Sequence, residues 1–137
     1  LARHRLARRP EYLVDAGNDF AGGVEALDVL MDLSQPPTAI VAPTDVLAIG
    51  MLHAAQRRGL RVPTDVSISG FDDIPVAAVS VPALTTVRMP TQAMVVAALD
   101  LVIGPDAAVT DSHPVLQPEL VIRASTGPVP THPEEGA

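Results

Sequence analysis

"RVPTDVSISGFDDIPVAAVSVPALTTV", residues 61–87, decides the fold. Its "DVSISGFD" portion alternates apolar with small polar residues, the pattern of a strand. That strand stops at Gly70 and delivers two adjacent carboxylates, Asp72 and Asp73, to its carboxyl end. "IPVAAVS" then reads as one or two helical turns, and "LTTVRM" as an extended segment. Upstream, "TAIVAP" (38–43) is apolar almost throughout, as expected of a strand inside a parallel sheet. Between the two strands, "TDVLAIGMLHAAQRRG" (44–59) reads as a helix, with Thr44 or Asp45 as its cap and Gly59 ending it after Arg57 and Arg58.

The same alternation extends outward. "EYLVDAG" (11–17) reads as a short strand ended by Gly17. "GGVEALDVLMDLS" (22–34) places Val24, Leu27, Leu30 and Met31 on one helical face, and "QPP" breaks it. "LARHRLARRP" (1–10) reads as the end of a helix stopped by Pro10, and "TQAMVVAALDLVIG" (91–104) as another helix. "PDAAVTDSHP" reads as a loop and "VLQPELVIRAST" as a final bent strand or strand pair, while the Pro- and acid-rich 128–137 reads as a disordered tail. Strands alternating with helices through short connections define an α/β fold, a mostly parallel sheet flanked by helices.

Composition narrows the function. Hydrophobic residues make up 47% of the 137 but aromatics only 2%, so the core must be aliphatic. The chain has no cysteine, which excludes disulfides and thiolate metal sites and fits a reducing compartment such as the cytoplasm. No apolar run approaches the about 20 residues that span a bilayer, so no membrane partner is expected. All of the basic residues are arginine, and four of them fall within the first nine positions. The net charge of -7 argues against a nucleic-acid surface on the remainder. The chain begins at Leu1 rather than Met, which reads as a piece of a longer protein.

In open α/β sheets ligands bind beyond the carboxyl ends of the strands. Three places qualify: Asp19–Phe20, Pro43–Thr44–Asp45 and Phe71–Asp72–Asp73. Asp72 at a strand end can accept hydrogen bonds from ligand hydroxyls or ring N–H groups; Asp73 can do the same or cap the next helix. Thr44 can cap its helix or face a pocket. Phe20, one of two Phe in the chain, can stack on a ligand ring or cover the neighbouring helix. The four histidines are scattered, no carboxylates are spaced as a metal site, and "AGG" (21–23) matches no phosphate-binding loop. No nucleophile, base and oxyanion set converges, so no catalytic residue, metal or cofactor is expected.

"PPTAIVAPTDVLAIGMLHAAQRRGLRVPTDVSISGFDDIPVAAVSVPALTTVRMP" (36–90) resembles the effector-binding core of the lactose/galactose repressor family of bacterial transcription regulators. "LQPELVIRAST" (116–126) resembles that family's closing segment. The resemblance covers residues 1–127 and implies the type I periplasmic-binding-protein-like fold, here mainly the C-terminal lobe, with the helix at 91–103 returning toward the other lobe. It implies a small-molecule effector, such as a sugar, contacted by Asp72, with Phe20 stacking and Thr44 standing where the family usually has Asn. That exchange removes an amide able to donate and accept together. The loop after Phe20 is about two residues shorter than usual, and Val95 replaces a common Gly. The resemblance further implies a homodimer formed through the helix after Thr44 and the "IPVAAVS" turn. Operator DNA would be bound only in a full-length protein carrying a helix-turn-helix headpiece. A periplasmic sugar-binding transport protein shares this fold and is the alternative reading.

Overall fold

Apolar positions three and four residues apart set the first helix, α1 (Phe20–Met31). In the computed structural model, which describes residues 9–103 and 115–129, Asp19 caps it by accepting the Gly22 N–H at 2.7 Å. Ala26, Leu27 and Leu30 are buried, and Val24 and Met31 pack partly against them. The helix thus starts two residues before the "GGVEALDVLMDLS" segment, because the Asp19 cap lies ahead of the glycines.

Strand β1 (Ala39–Val41) leads into helix α2 (Asp45–Arg57), and strand β2 (Ser67–Ser69) follows. The strands pair in parallel, with Ile40 opposite Ile68. Parallel bridges from Ser69 to Thr85 and from Asp72 to Arg88 carry the sheet onward to β3 (Thr86–Arg88), which pairs antiparallel with β4 (Glu119–Val121). Ser125 cross-ties this region. Its hydroxyl donates to the Ile68 carbonyl at 2.6 Å and accepts the Thr85 N–H at 2.8 Å, while its carbonyl accepts from Ile68 N–H at 2.9 Å. A short helix, α3 (Pro75–Val79), links β2 to β3, and α4 (Thr91–Ile103) follows β3.

The core is aliphatic as the composition requires, centred on Leu27, Leu47, Ala48, Val66, Ile68 and Leu84. Two glycines let α1 and α2 cross closely. A Cβ on Gly23 would fall 2.1 Å from the Leu47 carbonyl oxygen, and one on Gly50 2.2 Å from that of Phe20. Arg58 then ties the far end of α1 to α2, reaching Asp28 at 2.9 Å and Asp32 at 2.5 Å.

Three expectations change. "EYLVDAG" forms a 3-10 turn at Pro10–Tyr12 and then an extended stretch, 13–17, with no strand partner among the described residues. Val14 and Ala16 still pack on the core, so alternation places one face inward without a hydrogen-bonded neighbour. An apolar groove of about 440 Å³ separates residues 12–16 from β1. "TAIVAP", apolar as if enclosed, accordingly leaves Val41 81% exposed at an open edge. The capping alternative for Asp45 fails, because Thr44 caps α2 and Asp45 is fully buried as its first residue. Helix α4 forms over 91–103 but buries no side chain. The expected basic helix at 1–8, the loop at 105–114 and all but the first two residues of the 128–137 tail lie outside the described residues.

Candidate functional site

Beyond the bond from Ala42 N–H to the Ser69 carbonyl, the carboxyl ends of β1 and β2 are joined by a second, from Asp45 N–H to the Phe71 carbonyl at 2.8 Å. It places the residue after Thr44 beside the residue before Asp72. The Thr44 hydroxyl accepts from Leu47 N–H at 3.4 Å and donates to Asn18 Oδ1 at 2.8 Å. The loop ahead of α1 therefore joins the same strand-end surface.

Asp72 and Asp73 both carry positive φ, 119° and 56°. Aspartate tolerates the second value, but the first is a sparsely populated region for any side chain, costing on the order of 1–3 kcal/mol. Their surroundings enforce it. Asp72 N–H donates to the Val87 carbonyl at 2.9 Å, and Asp73 N–H reaches the Thr86 hydroxyl at 3.4 Å. Ile74 N–H donates to Asp45 Oδ2 at 2.9 Å, and the Thr86 hydroxyl donates to Asp45 Oδ1 at 2.5 Å. The loop is thus clamped from beneath by a buried carboxylate that sequence reasoning took for a helix cap.

The two adjacent acids have different roles. Asp73 does not cap α3, which has no side-chain cap. Arg123 reaches its Oδ1 at 2.6 Å and Arg88 its Oδ2 at 2.6 Å, and Arg88 continues to Glu119 at 3.0 Å. The Arg123 hydrogen bond, joined by that of Arg88, holds the Asp73 carboxyl below its ordinary range. Asp72 is exposed, and its side chain bonds no described residue. Partial desolvation, with the Asp45 charge behind it, pushes its carboxyl above the ordinary range. It is a carboxylate held in an unusual backbone conformation.

Phe20 stands apart. As the first residue of α1 it is 43% exposed, and its ring lies against that of His53 on α2, centroids 5.4 Å apart and tilted by 48°. The structure therefore joins Thr44 to Asn18, sets Asp72 next to the Asp45–Phe71 bond at the same strand ends, and directs the Phe20 ring along α2. Sequence reasoning missed Asn18, the buried part played by Asp45, and the Arg123 clamp. Only the first had a local signal, a polar residue beside the Asp19–Phe20 strand end. No cluster of histidines and carboxylates able to hold a metal occurs among the described residues.

A partly parallel sheet flanked by helices, with polar side chains at its strand ends, is the architecture of a periplasmic-binding-protein-like domain. Residues 1–126 match the family described as periplasmic binding protein-like domain, and the chain belongs to it. Within it, the resemblance to lactose/galactose-type repressors holds. The chain is 39% identical over 126 residues to the HTH-type transcriptional repressor CytR of Escherichia coli strain K12, covering 88% of this chain and 36% of that one. It is 33% identical over 127 residues to the ribose operon repressor of Haemophilus influenzae, covering 91% and 38%. The solved structure of a sugar-binding transcriptional regulator of the LacI family from Escherichia coli, complexed with phosphate, superposes with a TM-score of 0.81 at 31% identity, covering 90% of this chain and 45% of that one. The chain thus spans little more than a third of the length of these repressors.

Proposed function

We propose that this chain is the effector-sensing part of a LacI-type transcription regulator, acting in the cytoplasm. A neutral hydroxylated metabolite, a small sugar or a related molecule, binds at the strand ends. Asp72 accepts from its hydroxyls, Thr44 borders it, and the half-exposed Phe20 ring forms the rim. The observation that carries the reading is Asp72, a carboxylate with no partner among the described residues, held at a positive φ by four hydrogen bonds around its loop. Strain of this kind persists where surrounding structure imposes it, and it concentrates at ligand-binding positions.

Binding shifts the population between two lobe arrangements, with the effector's differential affinity setting the size of the response. Residues 1–127 form the effector domain, α4 returns toward the other lobe, and two copies associate through α2 and α3. Operator DNA is engaged by a headpiece in the full-length protein. The similarity to named repressors favours this reading over a transport protein, and over turnover of the bound molecule. The test is thermal unfolding of the chain with increasing ribose or sucrose. A ligand bound only by the folded state raises the melting temperature with concentration. The expected shift disappears in Asp72→Ala; a shift that survives that substitution places the ligand elsewhere.

A further inference from the structure

The Thr44 hydroxyl has a single proton, and that proton is committed to Asn18 Oδ1 at 2.8 Å. The same hydroxyl receives Leu47 N–H at 3.4 Å, so toward a ligand Thr44 retains at most one lone pair. The Asn18 amide is left the other way round. Its oxygen is occupied, and its two Nδ2 protons are bonded to no described residue. The neighbouring Asp19 carboxylate is occupied in capping α1, so it does not compete for them. Asn18 is itself exposed, at the bend where the chain leaves the 13–17 segment for α1.

We propose that Asn18 is a specificity-determining residue of the effector site: tethered by Thr44, it supplies the hydrogen-bond donors that a threonine at 44 cannot. The inference rests on the strand-end site proposed above. That surface then presents a donor pair from Asn18 and an acceptor pair from Asp72, linked through Thr44, Asp45 and the Asp45–Phe71 backbone bond. A ligand with neighbouring hydroxyls satisfies both, since each hydroxyl can accept from the amide or donate to the carboxylate. An anionic ligand is disfavoured by the Asp72 charge, and an apolar one leaves both groups unpaired on desolvation. The asparagine is set one strand end away from position 44, with the hydroxyl as its tether.

The experiment is calorimetric titration of the full chain with ribose and sucrose, each in wild type, Asn18→Ala, Asn18→Asp, the double variant Asn18→Ala/Thr44→Asn, and Asp72→Ala. Thermal melting confirms that each variant is folded. For the probe that binds, Asn18→Ala is expected to weaken affinity about tenfold, the loss of one neutral hydrogen bond. Asn18→Asp is expected to weaken it further, because it replaces donors by a second negative charge. Placing the amide at 44 in the double variant should recover most of the loss, a rescue that a merely structural role for Asn18 would not produce. Affinity unchanged in Asn18→Ala but lost in Asp72→Ala overturns the Asn18 inference alone. Failure of the wild-type chain to bind either sugar overturns the strand-end site and the inference together.

Discussion

At the residue scale the two adjacent acids separate binding from stability. Asp72 sits at φ 119°, where glycine is unstrained, so Asp72→Gly should hold or raise the unfolding free energy, by about 1 kcal/mol, while abolishing the ligand-induced melting shift. Denaturant titration with and without ligand reads both effects; loss of stability would show that no strain is stored there. Asp45 should behave oppositely. It is fully buried and accepts from Thr86 and Ile74, so Asp45→Ala leaves both donors unpaired at a cost of about 2–4 kcal/mol, measured by the same titration. Asp73 gives a pH dependence. Its carboxyl is held below the ordinary 3.8, so its pairing contributes stability above that value, lost as pH falls through the depressed one. Arg123→Gln removes the largest cause of the depression. It should lower stability at neutral pH and flatten the acid-side loss, which urea titrations between pH 2 and 6 would follow.

At the scale of elements, the crossing of α1 and α2 depends on backbone proximity. Gly23→Ala forces a Cβ against the Leu47 carbonyl, a fixed backbone atom, so the helices must part. A loss of about 1–3 kcal/mol is expected from such overpacking, despite alanine's better helix propensity, and a melting temperature equal to wild type would mean the helices reseat freely. Helical periodicity made α1, α2 and α4 legible in the sequence, because apolar spacing and caps are local signals. The 13–17 segment was not, because alternation reports a buried face and says nothing of a hydrogen-bonding neighbour. Asp45 was misread for a related reason. An acid beside a strand end carries the same local signal whether it caps a helix or lies buried beneath a loop whose contacts, Ile74 and Thr86, are 29 and 41 residues away. Asp72 was legible as a carboxylate at a strand end, whereas the clamp on Asp73 required Arg123, 50 residues distant.

For the whole molecule, the apolar surface is distributed in a way that small changes in the core cannot hide. Helix α4 exposes Met94, Val95, Val96, Leu99, Val102 and Ile103, while α3 and its exit expose Val76, Val79 and Val81. Open strand β1 adds Val41 beside the 440 Å³ groove. Exposed apolar surface of this extent drives association, and the proposed dimer face at α2 and α3 is only one of the surfaces available. The expectation is a dimer or larger species whose population rises with concentration. Sedimentation velocity across a hundredfold concentration range would measure it. Val79→Glu tests α3, where a buried charge opposes the contact strongly, and Val96→Glu tests α4. If α3 carries the association, Val79→Glu alone shifts the chain to monomer, and Val96→Glu leaves the distribution unchanged. If Val96→Glu has the larger effect, α4 is the dominant adhesive surface, and the copies meet through a helix proposed to belong against another lobe. A wild-type chain that sediments as a monomer throughout would remove the dimer from the proposed mechanism and leave effector sensing to a single copy.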